Sequence, residues 1–210
     1  MVSEPRLPIA VIGAGPVGLA AAAHLIEAGE EPLVVEAGDT VGSSVLQWGH
    51  VRLFSPWSYN VDKVAGALLE RHGWAAPPAA EYPTGRELVT GYLRPLAGVP
   101  ELAGRIRFGT RVEYVTRAGH DLMKTDGRGE APFVLRVVDG AGEQDILARA
   151  VIDASGTWSR PNPLGAAGIP AVGERSVADR VVYGIPDVSG RDRPRYSGRR
   201  VLVVGSGHSA

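Results

Sequence analysis

The sequence predicts an α/β fold: a parallel sheet with helices, an antiparallel β-meander beside it, and, after a linker, the start of a second α/β unit. Three observations predict it. An apolar run, a glycine turn, an alanine-rich stretch and a second apolar run follow one another before residue 37; residues 111–152 alternate in the strand manner; and an apolar run entering a glycine turn returns at 200–210. The composition suits a folded domain, with 44% of the 210 residues hydrophobic and 21% charged.

Leu7 to Ile12 is apolar and partly β-branched, which predicts a buried strand. Gly13 to Gly18 form a turn, Leu19 to Ala28 a helix, and Gly29 its carboxyl-terminal cap, since glycine tolerates the left-handed conformation that ends helices. Pro32 to Glu36 predict a second buried strand, so the segment is a β-α-β unit, which requires a parallel sheet. Residues 41–100 read as a helical and irregular insertion. Its helices are expected around Val61 to His72 and Gly85 to Arg94, the second capped by Thr84 and stopped by Pro95. Ile106 to Phe108 predict a short strand. Arg111 to Thr116, Phe133 to Val138 and Asp145 to Ile152 predict the meander, ending in the apolar Ala150-Val151-Ile152. Residues 161–198, with prolines at 161, 163, 170, 186 and 194, read as a linker, and Arg200 to Val204 as the first strand of the second unit. A strand entering a glycine turn calls for a helix to cover it. The expectation is therefore the amino-terminal part of a longer protein: one domain over 1–160 and a truncated unit at 199–210.

Several function classes are excluded or disfavoured. With 22 basic and 23 acidic residues the net charge is -1, without the basic excess of a nucleic-acid binder. No cysteine is present, which removes disulfides, Cys-based zinc sites and Cys-x-x-Cys redox pairs from these residues. The uncharged run Leu7 to Ala23 is interrupted by Gly13, Gly15, Pro16 and Gly18, and Glu4 offsets Arg6. No targeting or membrane segment is expected, and the location is expected to be cytoplasmic. His24, His50 and His208 read as surface or packing residues, and no His/Asp/Glu cluster has metal-ligand spacing, so no metal is expected. Ser155 and Ser206 lie in glycine turns that lack a G-x-S-x-G elbow, which argues against a serine hydrolase.

Gly13-Ala14-Gly15-Pro16-Val17-Gly18 matches G-x-G-x-x-G between a strand and a helix. Gly13 permits the tight turn, Gly15 lets a pyrophosphate approach the backbone, and Gly18 allows close packing of helix on strand. The helix amino terminus then faces the negative charge. Glu36, followed by Ala37, ends the second strand, where its carboxylate can accept both hydrogen bonds of a ribose diol. Strand, turn, helix, strand and terminal acid in register predict dinucleotide binding.

Val151-Ile152-Asp153-Ala154-Ser155-Gly156-Thr157 resembles the second FAD motif of flavoproteins with two dinucleotide-binding domains. The meander before it and the glycine turn after it fall in that superfamily's order, so the resemblance covers the whole chain. Trp48-Gly49-His50-Val51-Arg52-Leu53-Phe54-Ser55-Pro56, with Tyr82-Pro83-Thr84, is similar to flavin-containing monooxygenase-like members; the other large branch is the pyridine nucleotide-disulfide reductases. The resemblance implies a Rossmann-like FAD-binding domain and a truncated Rossmann-like NAD(P)-binding unit. It further implies FAD and NAD(P)H as cofactors, hydride transfer from nicotinamide to flavin and on to oxygen or another acceptor, and a small-molecule substrate or electron acceptor as partner.

FAD contacts are implied at Gly13 to Gly18, Glu36, Ala37, Gly42, Val45, Ser155 and Gly156, with the Val112 backbone holding the adenine. Arg52 would pair with a phosphate or stack on a ring. NAD(P) contacts are implied at Gly205, Ser206, Gly207, His208 and Ser209, and the Arg191 to Arg200 cluster reads as a solvated linker or an NADP-phosphate contact. Two departures stand out. Gly42-Ser43-Ser44-Val45 replaces the Gly-Gly-x-Trp of many members, leaving Trp48 to take over the ring contact. No F-x-G-x-x-x-H fingerprint lies between Gly156 and Arg200, a stretch without Phe or His. Ser43 and Ser44 also stand where glutathione-reductase-like members carry their cysteine pair. A disulfide-reductase-like or ferredoxin-reductase-like flavoprotein and a non-catalytic FAD- or nucleotide-binding module stay open as alternatives. No catalytic residue is assigned.

Overall fold

The computed structural model describes residues 6–205. Ser206, Gly207, His208 and Ser209 of the second glycine turn lie outside the described residues.

Strand β1 (Ile9–Ile12) leads through the glycine turn into helix α1 (Pro16–Glu27), which returns to β2 (Pro32–Val35). The helix begins three residues earlier than Leu19, because Pro16 at its first position has no N–H to leave unsatisfied and brings a helical φ. Gly29 ends it as expected: at φ 71° it directs its N–H to the Ile26 carbonyl, and the Glu30 N–H reaches Leu25.

The insertion holds α2 (Ser43–Gln47), α3 (Trp57–Asn60), α4 (Lys63–Arg71) and α5 (Gly85–Leu88). Asp62 caps α4 by accepting from the Val64 and Ala65 N–H groups, and Thr84 with Glu87 forms a reciprocal capping box on α5. Pro95 does not stop this helix, contrary to expectation. A π-turn (Val89–Leu93) carries α5 directly into α6 (Arg94–Ala97), with the Arg94 N–H reaching Val89 five residues back. A proline ring inside an α-helix collides with the carbonyl four residues earlier; the widened turn relieves that collision. The carbonyl in question belongs to Gly91, and it accepts the Trp74 indole N–H at 2.8 Å instead. Helix α7 (Pro100–Ala103) leads to β3 (Ile106–Arg107).

The meander comprises β4 (Arg111–Arg117), β5 (Phe133–Asp139) and β6 (Gly142–Ala148). The expected last strand, Asp145 to Ile152, is two strands. Arg149 breaks it, and β7 (Ala150–Asp153) leaves the meander to pair parallel with β1, Ala10 opposite Val151. The parallel sheet therefore has the order β3-β2-β1-β7 and the antiparallel one β4-β5-β6.

Alternation along the buried strands sorts the core into two layers. Val11 and Val34 pack with Leu19, Ala22, Leu68, Leu93 and Leu102 on the helical side, while Ala10 and Val35 pack with Leu135, Val137 and Ala148 of the meander. Helices and meander thus cover opposite faces of the parallel sheet. After β7 the chain makes a 3-10 turn at Glu174–Arg180 and a short helix, α8 (Arg193–Tyr196). The expected strand at Arg200 to Val204 is absent: no ladder forms, and Leu202 is 86% exposed. A lone apolar run has no neighbour to share its backbone hydrogen bonds.

Candidate nucleotide-binding site

The carboxyl ends of β1, β2 and β7 converge on the glycine turn. Gly13, at φ 100°, sits so close to the turn after β7 that a Cβ would lie 2.8 Å from the Ala154 carbonyl oxygen. A Cβ on Gly18 would lie 1.9 Å from the Gly13 carbonyl oxygen, so only glycine lets α1 approach β1. Gly15 is different. A Cβ there would meet nothing within 4 Å, which leaves open space directly before the amino terminus of α1. Val17, in the first turn of α1, is 69% exposed beside it.

Glu36 is buried beneath this turn. Its Oε2 accepts the Ala14 N–H at 2.7 Å, and its Oε1 accepts the Gly38 N–H at 2.8 Å and the Ser43 hydroxyl at 2.7 Å. The Ala14 carbonyl in turn accepts the Gly42 N–H at 2.9 Å, with Gly42 in the left-handed region at φ 63°. The end of β2, the loop after it and the glycine turn are thereby clamped together. Thr110 and Gly109 extend the clamp to the start of the meander, through bonds to the Glu36 and Gly38 carbonyls. Ser43 and Gly38 are participants that the sequence reading did not single out as binding residues. The signal was present in Ser43, the polar residue that replaces a glycine of the Gly-Gly-x-Trp pattern.

Ser155 and Gly156 are exposed at the edge of the turn cluster, Gly156 at φ 69°. The Ser155 side chain and N–H both donate to Asp153 and hold its carboxyl below the usual carboxylate range. Ala37 is exposed, and Val112 pairs with Val137 just before a bulge in β4. Val45 is buried in the helical core. Trp48 packs on Gly85 and lies 6.3 Å from Trp158, whose indole N–H donates to Gln47. Arg52 is not drawn into the turn cluster. Its guanidinium donates to the Tyr82 carbonyl and lines a groove with Trp57, Glu81, Glu87 and Thr90. Gly205, at φ 130°, is the one residue of the second turn among the described residues. No group of His, Asp or Glu able to hold a metal ion occurs among the described residues.

An open glycine turn, a helix amino terminus behind it and a buried acid beside it are the elements of a turn that can hold phosphate and ribose. Comparisons with known proteins agree with this geometry. The chain belongs to the pyridine nucleotide-disulphide oxidoreductase family, whose model matches residues 10–210. It is 31% identical, over 98% of its length, to the FAD-binding monooxygenase ausB of Aspergillus calidoustus, and spans 32% of the length of that relative. Among solved structures, it resembles an oxidized steroid monooxygenase bound to NADP, with 25% identity and TM-score 0.54 over 72% of this chain and 26% of that one. The bacillithiol disulfide reductase YpdA of Bacillus cereus shares the fold, with 22% identity and TM-score 0.57 over 75% of this chain and 42% of that one. Among the described residues, no helix is long and apolar enough to cross a membrane.

Proposed function

We propose that this chain is the FAD-binding portion of an NAD(P)H-using oxidoreductase of the flavin monooxygenase-like type. The observation that carries the reading is the open space at Gly15 beside a buried, hydrogen-bonded Glu36. Gly15 and the N–H groups at the start of α1 would hold the pyrophosphate, and Glu36 the ribose. Val112 would present its backbone to the adenine; Gly42, Ser155 and Gly156 would line the approach toward the flavin ring. Trp48 and Trp158, in contact with each other, would wall that end. The chemistry a bound flavin supplies is two-electron transfer between a reduced nicotinamide and oxygen or another acceptor. This chain's own residues bind and orient; none of them is assigned as an acid or base. Residues 1–160 would form the FAD domain, 161–198 the linker, and 199–210 the first part of the nicotinamide domain, with Gly205 to Ser209 as its phosphate turn. A small-molecule substrate and a cytoplasmic location complete the proposal.

The test is the visible absorbance spectrum of the purified chain after incubation with FAD and removal of free flavin, with Gly15→Glu as control. Retained flavin bands in the wild type, absent from the variant, are expected. A wild type that retains no flavin would overturn the reading.

A further inference from the structure

A carboxylate has about four lone-pair positions for hydrogen-bond donors. Three of those on Glu36 are taken by the protein itself: by Ala14, Gly38 and Ser43. A ribose diol brings two O–H donors, so Glu36 alone no longer has room for both. The group that fills the third position is itself amphoteric. Having given its proton to Glu36 Oε1, the Ser43 hydroxyl keeps two acceptor lone pairs, and among the described residues nothing donates to them. Ser43 is half-buried, at the first position of α2. Its far side is fixed by Gly38, where even a Cβ would come within 2.4 Å of the serine. The side chain thus has one place to go, against the carboxylate.

We infer that Ser43 is a positioning residue for the ribose: one hydroxyl of the diol donates to Glu36 Oε2, and the other donates to Ser43 Oγ. The inference rests on the reading of the glycine turn as a dinucleotide site. The serine relays the negative charge of Glu36 outward, because a hydroxyl that donates to a carboxylate becomes a better acceptor. Both donors of the sugar are then satisfied by a single buried acid that also clamps the turn.

The experiment is isothermal titration of the whole chain with ADP, 2′-deoxy-ADP and 3′-deoxy-ADP, repeated on Ser43→Ala. The wild type should bind both deoxy compounds more weakly than ADP. Ser43→Ala should bind ADP roughly three- to tenfold more weakly, the value of one neutral hydrogen bond. It should also lose the discrimination against one of the two deoxy compounds while keeping that against the other. A variant that keeps both discriminations, or weakens all three ligands by one common factor, would show a merely structural serine and overturn the inference. A variant that binds ADP more tightly would show that the hydroxyl competes for Glu36, which also overturns it. A wild type that binds neither ADP nor FAD would instead overturn the dinucleotide reading beneath it. Thermal denaturation of the unliganded proteins, in which Ser43→Ala is expected to melt a few degrees lower but still in one cooperative transition, separates these outcomes from misfolding.

Discussion

The three glycines of the first turn occupy three different environments, and that difference makes them separable by mutation. A Cβ at Gly18 would fall 1.9 Å from a backbone oxygen, which no side-chain movement relieves. Gly18→Ala must push α1 away from β1, at a cost of about 1–3 kcal/mol. For a chain of this size that lowers the thermal midpoint by about 2–4 °C per kcal/mol. Gly15 has ordinary extended backbone angles and open space around its would-be Cβ, so Gly15→Ala should leave stability within about 0.5 kcal/mol of wild type. Its methyl would project into the space proposed for the pyrophosphate, and flavin retention should fall while the fold stands. Differential scanning fluorimetry without ligand, paired with flavin titration, checks both halves. Equal destabilisation by the two substitutions would contradict the assignment of separate roles. At this scale the sequence was informative because a glycine motif states where backbone approaches backbone. It was silent on Glu36 having protein partners, because hydrogen bonds from Gly38 and Ser43 depend on a loop path that no periodicity encodes.

At the scale of elements, the helix from Gly85 through Ala97 shows how a local rule was overridden. Proline at 95 predicts a stop, yet the chain continues, because two tertiary features absorb the damage. The π-turn makes room for the ring, and the Trp74 indole takes the carbonyl that proline cannot serve. Leu88, Val89, Tyr92, Leu93 and Leu96 on this continuous helix are all buried, which rewards the continuation. The Tyr92 phenol sits so deep that burial pushes it up to about 12, while its oxygen still accepts the Asp62 N–H. Trp74→Phe keeps most of the ring contact with Tyr92 but leaves the Gly91 carbonyl without its donor. The expected loss is about 1–3 kcal/mol, read from urea denaturation with the slope unchanged. Adding Pro95→Ala to it restores an N–H four residues beyond Gly91, and the double variant should recover part of that loss. No recovery would mean that the indole bond is incidental to the continued helix. The split of Asp145 to Ile152 into two strands has a similar origin. Apolar alternation runs unbroken through Arg149, and only the sheet partners, β5 on one side and β1 on the other, distinguish β6 from β7.

On the scale of the whole molecule, burial ends abruptly. Among the described residues none from 155 to 205 is buried, whereas both core layers are complete by Ala154. The sequence marked this boundary through its prolines, since a proline-rich stretch cannot join a sheet ladder. Among the described residues the tie between the two parts is narrow: the Trp158 indole on Gln47 and against the Trp48 ring, and the Arg191 guanidinium on the Gln47 carbonyl. A segment held by so few contacts opens locally at far less cost than the core unfolds, and proteases act on such openings. Arg175, Arg180, Arg191 and Arg195 lie within it and are not followed by proline, whereas Arg160 and Arg193 precede Pro161 and Pro194 and resist trypsin; in the core, Lys124 and Arg128 lie in the exposed loop between β4 and β5. Brief trypsin treatment should therefore cut first between Arg175 and Arg200, with the β4–β5 loop the competing site, and leave a resistant core fragment carrying residues 6–160. If that fragment is the proposed FAD domain, it retains the flavin that the intact chain takes up, and flavin protects it further by mass action. Mass spectrometry of the digest and absorbance of the isolated fragment read the two expectations separately. First cleavage inside residues 9–153, outside the exposed 118–132 loop, would contradict the boundary, and a resistant fragment stripped of flavin would mean that residues removed by the cut help to hold it, with Arg191 on the Gln47 carbonyl the first contact to examine.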